Sequence, residues 1–164
     1  MGTGANDFDN GLAVSDDLVV AAGTVYGNRL APTFRYSTDA GASWQLGRLS
    51  EQSERETPPD QGDQTSGLAV TTIGGRPRWV AYGSDWRQNL IWTSSDGMTW
   101  DRHLPAAKQL PAEADLADIM AVPDGFVLVG SDTEDKPTAW TSHDGVTWRR
   151  SPMSGQGTPA AVAS

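Results

Sequence analysis

An acid, a hydroxyl and an imidazole stand within seven residues at Ser142–Trp148, "SHDGVTW". Those are the side-chain types of acid–base and nucleophilic chemistry. Two other stretches carry a comparable supply. "GSDWRQ" (83–88) offers Asp85, Trp86 and Arg87, and "SDTEDK" (131–136) offers Asp132 and Asp135. Two carboxylates about 5–9 Å apart across a cleft are the equipment of glycoside hydrolysis. An indole such as Trp86, beyond the end of its strand, presents a flat apolar face with one polar edge, suited to stacking on a sugar.

The first of these stretches changes meaning when its copies are counted. "STDAGASW" (37–44) and "SSDGMTW" (94–100) repeat the order, the former with one extra residue. The repeated set is Ser37, Asp39, Gly41 and Trp44; Ser94, Asp96, Gly97 and Trp100; Ser142, Asp144, Gly145 and Trp148. Each residue has a folding role. The Asp accepts backbone N–H groups of its own turn, the Gly supplies a positive φ, and the Ser satisfies a further amide. The Trp then sets a large ring against a neighbouring sheet. The motif reads as scaffold.

Around each motif the same parts recur in the same order, the sign of a repeat architecture. A short apolar strand comes first ("GLAV" 11–14, "GLAV" 67–70, "IMAV" 119–122). A second ends in Gly ("LVVAAG" to Gly23, "RWVAYG" to Gly83, "FVLVG" to Gly130). A third ("TFRYS", "LIWTS", "AWTS") leads into the motif, whose Trp opens a fourth ("WQLGRL", "WDRHL", "WRRSPM"). Four strands per repeat of roughly 50 residues predict an all-β fold of β-propeller blades. The expected unit is one domain, 1–164, of three four-stranded antiparallel blades at about 8–50, 66–105 and 117–154. "AAVA" predicts one extra strand at 158–163. The acidic link 50–67 reads as a solvated, mobile loop, and "PAAKQLPAEADLADIM" (105–120) as the one place for a short helical turn. Arg35 takes the place of Trp92 and Trp140 in the third strand.

Composition narrows the partners. With 21 acidic against 12 basic residues the net charge is −9, which opposes nucleic acid as a partner. No run is long and apolar enough for membrane insertion by a helix, and the first residues lack a signal peptide's basic and apolar regions. No cysteine is present, so disulfides and thiolate metal sites are excluded. "NDFDNG" (6–11) opens like a calcium loop, but its Gly falls one place early and no Glu follows at the twelfth place. P-loops, dinucleotide fingerprints and nucleophile elbows are missing, so neither metal nor cofactor is expected.

The three motifs resemble Asp-boxes, the bacterial neuraminidase repeats of sialidase and sortilin-type propellers. The resemblance implies a propeller with its motif turns on the rim, and an extracytoplasmic setting. It also implies an Arg triad, a Glu-activated Tyr and an Asp acid/base if the activity is a sialidase's. The aromatic-Arg-Ile-Pro run that presents the first Arg is absent, with "FRYS" (34–37) the nearest text. Of five Glu, three fall at 51–56, leaving Glu113 and Glu134. The expectation is therefore a non-catalytic module that binds a glycan or protein through Asp85, Trp86, Arg87, Asp132 and Asp135. The alternative is a fragment or half of a sialidase-like glycoside hydrolase. Three blades cannot readily close a ring, so self-association to a six-bladed homodimer, or the remainder of a longer propeller, is the expected partner.

Overall fold

The computed structural model describes residues 6–57 and 62–153. Its first sheet runs β1 (Asn6–Ser15), β2 (Leu18–Tyr26), β3 (Leu30–Ser37) and β4 (Gln45–Leu46). β5 (Arg48–Leu49) and the helix α1 (Glu51–Glu56) lead to the second sheet. That sheet is β6 (Gln64–Ile73), β7 (Arg76–Ser84), β8 (Asn89–Ser94) and β9 (Thr99–His103). The third is β10 (Asp115–Val122), β11 (Gly125–Ser131), β12 (Pro137–Ser142) and β13 (Arg149–Pro152). Each is an antiparallel meander, and β5 adds a fifth, parallel strand outside β9. The all-β expectation holds, and the second and third strands keep the repeat register: Ala21 faces Arg35, Ala81 faces Trp92 and Leu128 faces Trp140 across equivalent ladders. The first strands do not all keep it: Leu12 and Leu68 stand opposite Ala21 and Ala81, but Ile119 rather than Met120 stands opposite Leu128, so "IMAV" is offset by one residue from "GLAV". The expected strand at 158–163 lies outside the described residues. "NDFDNG" is strand rather than loop.

Two local rules shape every first strand. A bulge falls at Asn10, Ser66 and Ala117, where the register shifts by one residue. Gly23, Gly83 and Gly130, expected to end the second strands, lie inside them, one to three residues short of the end, and sit opposite that bulge. A Cβ on Gly83 would lie 1.9 Å from the Gln64 carbonyl oxygen, and one on Gly130 would lie 2.0 Å from that of Asp115. No other residue fits there. Between β6 and β7 the chain turns on Gly74 and Gly75, both at positive φ, as a two-residue hairpin requires.

The sheets pack face to face through alternating rows. Ala13 and Val20 of the first sheet meet Leu68, Ala81 and Trp92 of the second, with Phe34 stacked on Trp100 at 4.0 Å and 9°. Ala69, Val80 and Ile91 of the second meet Ile119, Phe126, Leu128, Trp140 and Trp148 of the third. Hydrogen bonds stitch the same joints. Thr65 donates its N–H to Thr24 Oγ1 and its hydroxyl to the Gly23 carbonyl. Tyr82 donates its hydroxyl to the bulge carbonyl of Ala117.

The motif turns close on themselves. Asp96 Oδ1 accepts the N–H groups of Met98 and Thr99 at 2.8 Å, while Gly97 N–H donates to Ser94 Oγ. Asp144 and Ser142 repeat the pattern. In the first copy Asp39 Oδ1 accepts Ser43 N–H instead, and Ala40 and Gly41 both take positive φ to absorb the extra residue. Gly97 and Gly145 also nestle against the preceding sheet: a Cβ would strike Leu18 and Val20, or Val80. Trp100 and Trp148 are buried accordingly, and Trp100 donates its indole N–H to Gly97 O. Buried indole N–H groups of Trp79, Trp92, Trp140 and Trp148 have no acceptor among the described residues. Trp44 departs from the expected wedge. It is 42% exposed, because no sheet precedes its own among the described residues.

In the link 50–67, residues 51–56 are largely exposed as expected, but they are not loop. They are helical, capped by Ser50, whose hydroxyl accepts Ser53 N–H. The link 104–114 holds turns only. Arg102 ties Ser53 and Asp63 of the first link to the second sheet. Its guanidinium donates to both oxygens of Asp63, from Nε at 2.6 Å and Nη2 at 3.3 Å. Nη2 also lies 3.8 Å from Asp85 Oδ2, and Arg102 N–H donates to the buried Ser53 hydroxyl. All three charged groups are buried. Removing one member of a buried, hydrogen-bonded charge set costs about 3–5 kcal/mol, because its partners are stranded. Arg102→Ala is therefore expected to lower unfolding stability by about that amount in urea titrations, against less than about 1 kcal/mol for Arg55→Ala in the exposed pair with Glu51.

The turn carboxylates set the acid limit. Hydroxyl and N–H donors of Ser43, then Ser37, lower Asp39 to about 2. Burial raises Asp96 and Asp144, but the N–H groups of Thr99 and Met98, and of Thr147 and Val146, outweigh it and lower both. A depressed folded value contributes stability above the unfolded value, lost as pH falls through the folded one. Melting temperature is thus expected to drop between about pH 4 and pH 2. Asp96→Asn with Asp144→Asn lowers it at neutral pH and flattens that acid limb.

Candidate functional site

In a four-stranded meander the motif turns lie at one end of each sheet, and the second-to-third strand loops lie at the other with the links. A cleft of about 400 Å³ opens at this second end, between the second and third sheets. Gln64, Ser66 and Tyr82 line it from the second sheet, Trp86 and Gln88 from the β7–β8 loop, and Glu113 and Asp115 from the entry to β10.

Asp85 builds the loop. Its Oδ1 accepts the N–H groups of Arg87 and Gln88 at 3.0 Å each, and its Oδ2 accepts the Gln88 amide at 3.1 Å. With the Arg102 contact this consumes the carboxylate, which is 3% exposed. The loop so fixed holds Trp86 at φ 70, a conformation β-carbon-bearing residues avoid, and leaves its ring 73% exposed. A large apolar ring held out of the core by a buried charge network has no packing explanation. Asn89 secures the opposite wall, donating to the carbonyls of Pro111 at 2.8 Å and Ala114 at 2.9 Å.

The other expected ligand residues are distributed differently. Asp132 repeats the role of Asp85: its Oδ1 accepts Glu134 N–H at 2.9 Å and Lys136 N–H at 3.0 Å, and its Oδ2 pairs with Arg150. Those donors, led by Lys136 N–H, lower its pKa. Asp135 is exposed at φ 58 on the turn so made. Neither lines the cleft, and Arg87 is exposed beside Trp86 without lining it. Gln88 falls within the stretch the sequence singled out, whereas sequence reasoning missed Gln64, Glu113 and Asp115 as site residues. The sign available was that 113–115 immediately precedes β10, just as 62–64 precedes β6.

Chemically the cleft offers amides, hydroxyls and an indole. Its carboxylates, Glu113 and Asp115, come from one wall two residues apart, while the Asp85 carboxylate of the facing wall is buried against Arg102. Burial, then Asp118 and Asp115, push the Tyr82 phenol up to about 12. Such a phenol stays protonated at neutral pH and serves as a donor to Ala117 O. Among the described residues, no group of three or more His, Asp or Glu could hold a metal ion.

No family model matches the chain, and no curated protein matches it in sequence. Solved structures do resemble it. One is a glycoside hydrolase of the GH130 family of mannoside phosphorylases that targets β-1,2 mannosidic linkages in Candida mannan. It aligns at TM-score 0.56 and 11% identity over 94% of this chain and 51% of its own. Another is a glycosyl hydrolase from Bacteroides ovatus, at TM-score 0.55 and 12% identity over 94% and 51%. The chain spans about half the length of each. The likeness is one of fold: this chain is built like part of a β-propeller glycoside hydrolase.

Proposed function

We propose that the chain is a non-catalytic propeller module whose cleft at Trp86 binds a carbohydrate. The observation that supports this reading is Trp86 itself, exposed on a strained backbone beside a cleft walled by Gln64, Gln88 and Ser66. An indole face takes the apolar side of a pyranose, and amides and hydroxyls take its hydroxyl groups. Calorimetry against a panel of oligosaccharides, β-1,2-mannosides included, tests it. Trp86→Ala is expected to weaken binding at least about tenfold while leaving the melting temperature in place, and no glycan is turned over. Equal binding by wild type and Trp86→Ala sinks the reading.

A half of a sialidase-like glycoside hydrolase is the second reading, favoured by the alignment of 94% of the chain to half of a glycoside hydrolase. Glu113 and Asp115 are then the acids. Hydrolysis of aryl glycosides, lost in Glu113→Gln, would replace the first reading with this one.

In either reading the motif turns are Asp-boxes, the sheets are blades, and a second copy completes the ring. Leu12, Ala21, Arg35 and Leu46 form a cross-strand row equivalent to Leu68, Ala81, Trp92 and Arg102. Leu68, Ala81 and Trp92 of the latter row are buried against the first sheet, whereas Leu12 and Leu46 are 64% and 71% exposed. The outer face of the third sheet, with Met120 and Val127, corresponds to the Ala69 and Val80 row that covers such a face. Sedimentation is expected to give a dimer of six blades, and Leu12→Glu with Leu46→Glu a folded monomer. A wild type that stays monomeric at about 100 μM, where even a weak dimer of Kd about 10 μM would show, refutes the closure.

A further inference from the structure

Among the described residues the second sheet has a fifth strand and the third does not. β5 lies parallel to β9, with Arg48 N–H donating to Met98 O and Ser50 N–H to Trp100 O, both at 2.9 Å. Thr99 and Trp100 owe their strand pairing to β5, since the β8–β9 ladder covers only Asp101 to His103. In the third sheet the counterparts of Met98 and Trp100 are Val146 and Trp148. There the edge strand begins only at Arg149, two residues later. The shortfall matches the missing partner.

The second link does not supply that partner. Leu104 leaves β9 exposed to solvent, and the chain turns at Ala106, whose carbonyl accepts the N–H groups of Gln109 and Leu110. Leu110 is buried in the core between the second and third sheets. A groove of about 630 Å³ is left between Lys108 and Gln109 on one side and Thr147–Arg150 on the other. Its charge is opposite to the chain's. Lys108 and Arg149 are exposed in it, Arg150 adds a third cation that also holds Asp132, and the Asp144 carboxylate is taken up by N–H groups of its own turn. Strand addition draws its affinity from main-chain hydrogen bonds and its selectivity from the flanking side chains.

We propose that the free edge at Val146–Trp148 is a strand-addition site for an extended acidic peptide, which lies parallel to β13 as β5 lies parallel to β9. The probe is the hexapeptide acetyl-Glu-Gly-Thr-Leu-Ser-Glu-amide, patterned on residues 47–50 with acidic ends. Its control is N-methylated at Thr and Ser, the two donors that match those of β5. In 1H–15N spectra of the full chain the acidic peptide is expected to shift the amides of Val146–Arg149. N-methylation, or Lys108→Glu with Arg149→Glu, is expected to weaken binding at least about tenfold. Three results overturn the proposal: no shift at about 1 mM peptide, where even a 4 kcal/mol interaction would register; equal binding by the N-methylated control; or shifts confined to other sheets. Should the double charge reversal unfold the chain, the N-methylated control on wild type still decides.

Discussion

Every four-stranded sheet in this chain carries apolar side chains on both faces, so each face needs another sheet. That single requirement orders the molecule. It sets the second sheet between the first and third, with Val20 and Phe34 on one side and Val80 and Ile91 facing the other. It also explains why three copies of one motif differ so much in exposure. Trp100 and Trp148 are buried because a sheet precedes theirs, whereas Trp44 and Leu46 are exposed at the start of the series. The motif supplies the same ring each time; the neighbour decides whether it becomes core.

The candidate site depends on a smaller device. One guanidinium, Arg102, holds the first link through Asp63 and Ser53 and the β7–β8 loop through Asp85. A buried charge cluster contributes little net stability compared with apolar packing, but it tolerates few alternative arrangements. Here it fixes the loop that presents Trp86. Binding then need not pay to order that loop, a cost that often limits the affinity of surface sites.

Much of this is legible in the sequence. The strand order and the equivalence of Arg35 with Trp92 and Trp140 follow from aligning three copies, as does the recurring Gly of each second strand, although the strands run on past it. The helix at 51–56 is not, because six residues are too few for a hydrophobic period to appear; Ser50 before an acid-rich run is its only mark. Asp85 and Asp132 look like ligand groups although their fate is written nearby. Gly-Ser-Asp at 83–85 and 130–132 occurs with Trp-x-Arg at 100–102 and 148–150, and the first copy lacks both, with Val25 and Leu46 in those places. Matched presence and absence of an acid and a base signals a structural pair. The cleft itself is only half legible, since its far wall comes from a link whose path depends on packing Leu110.

The bulges have a geometric consequence of their own. On a regular strand, residues three apart point to opposite sides. Thr65 and Leu68 are three apart, yet both address the first sheet, because Ser66 is inserted between their partners Gly83 and Ala81. Leu116 and Ile119 stand opposite Gly130 and Leu128 across the same insertion at Ala117. The extra residue acts as a phase shift in the side-chain alternation. Deleting Ser66 would not shorten the strand so much as invert its first half, turning the Thr65 hydroxyl away from the Gly23 carbonyl and presenting the wrong face at the mouth of the cleft.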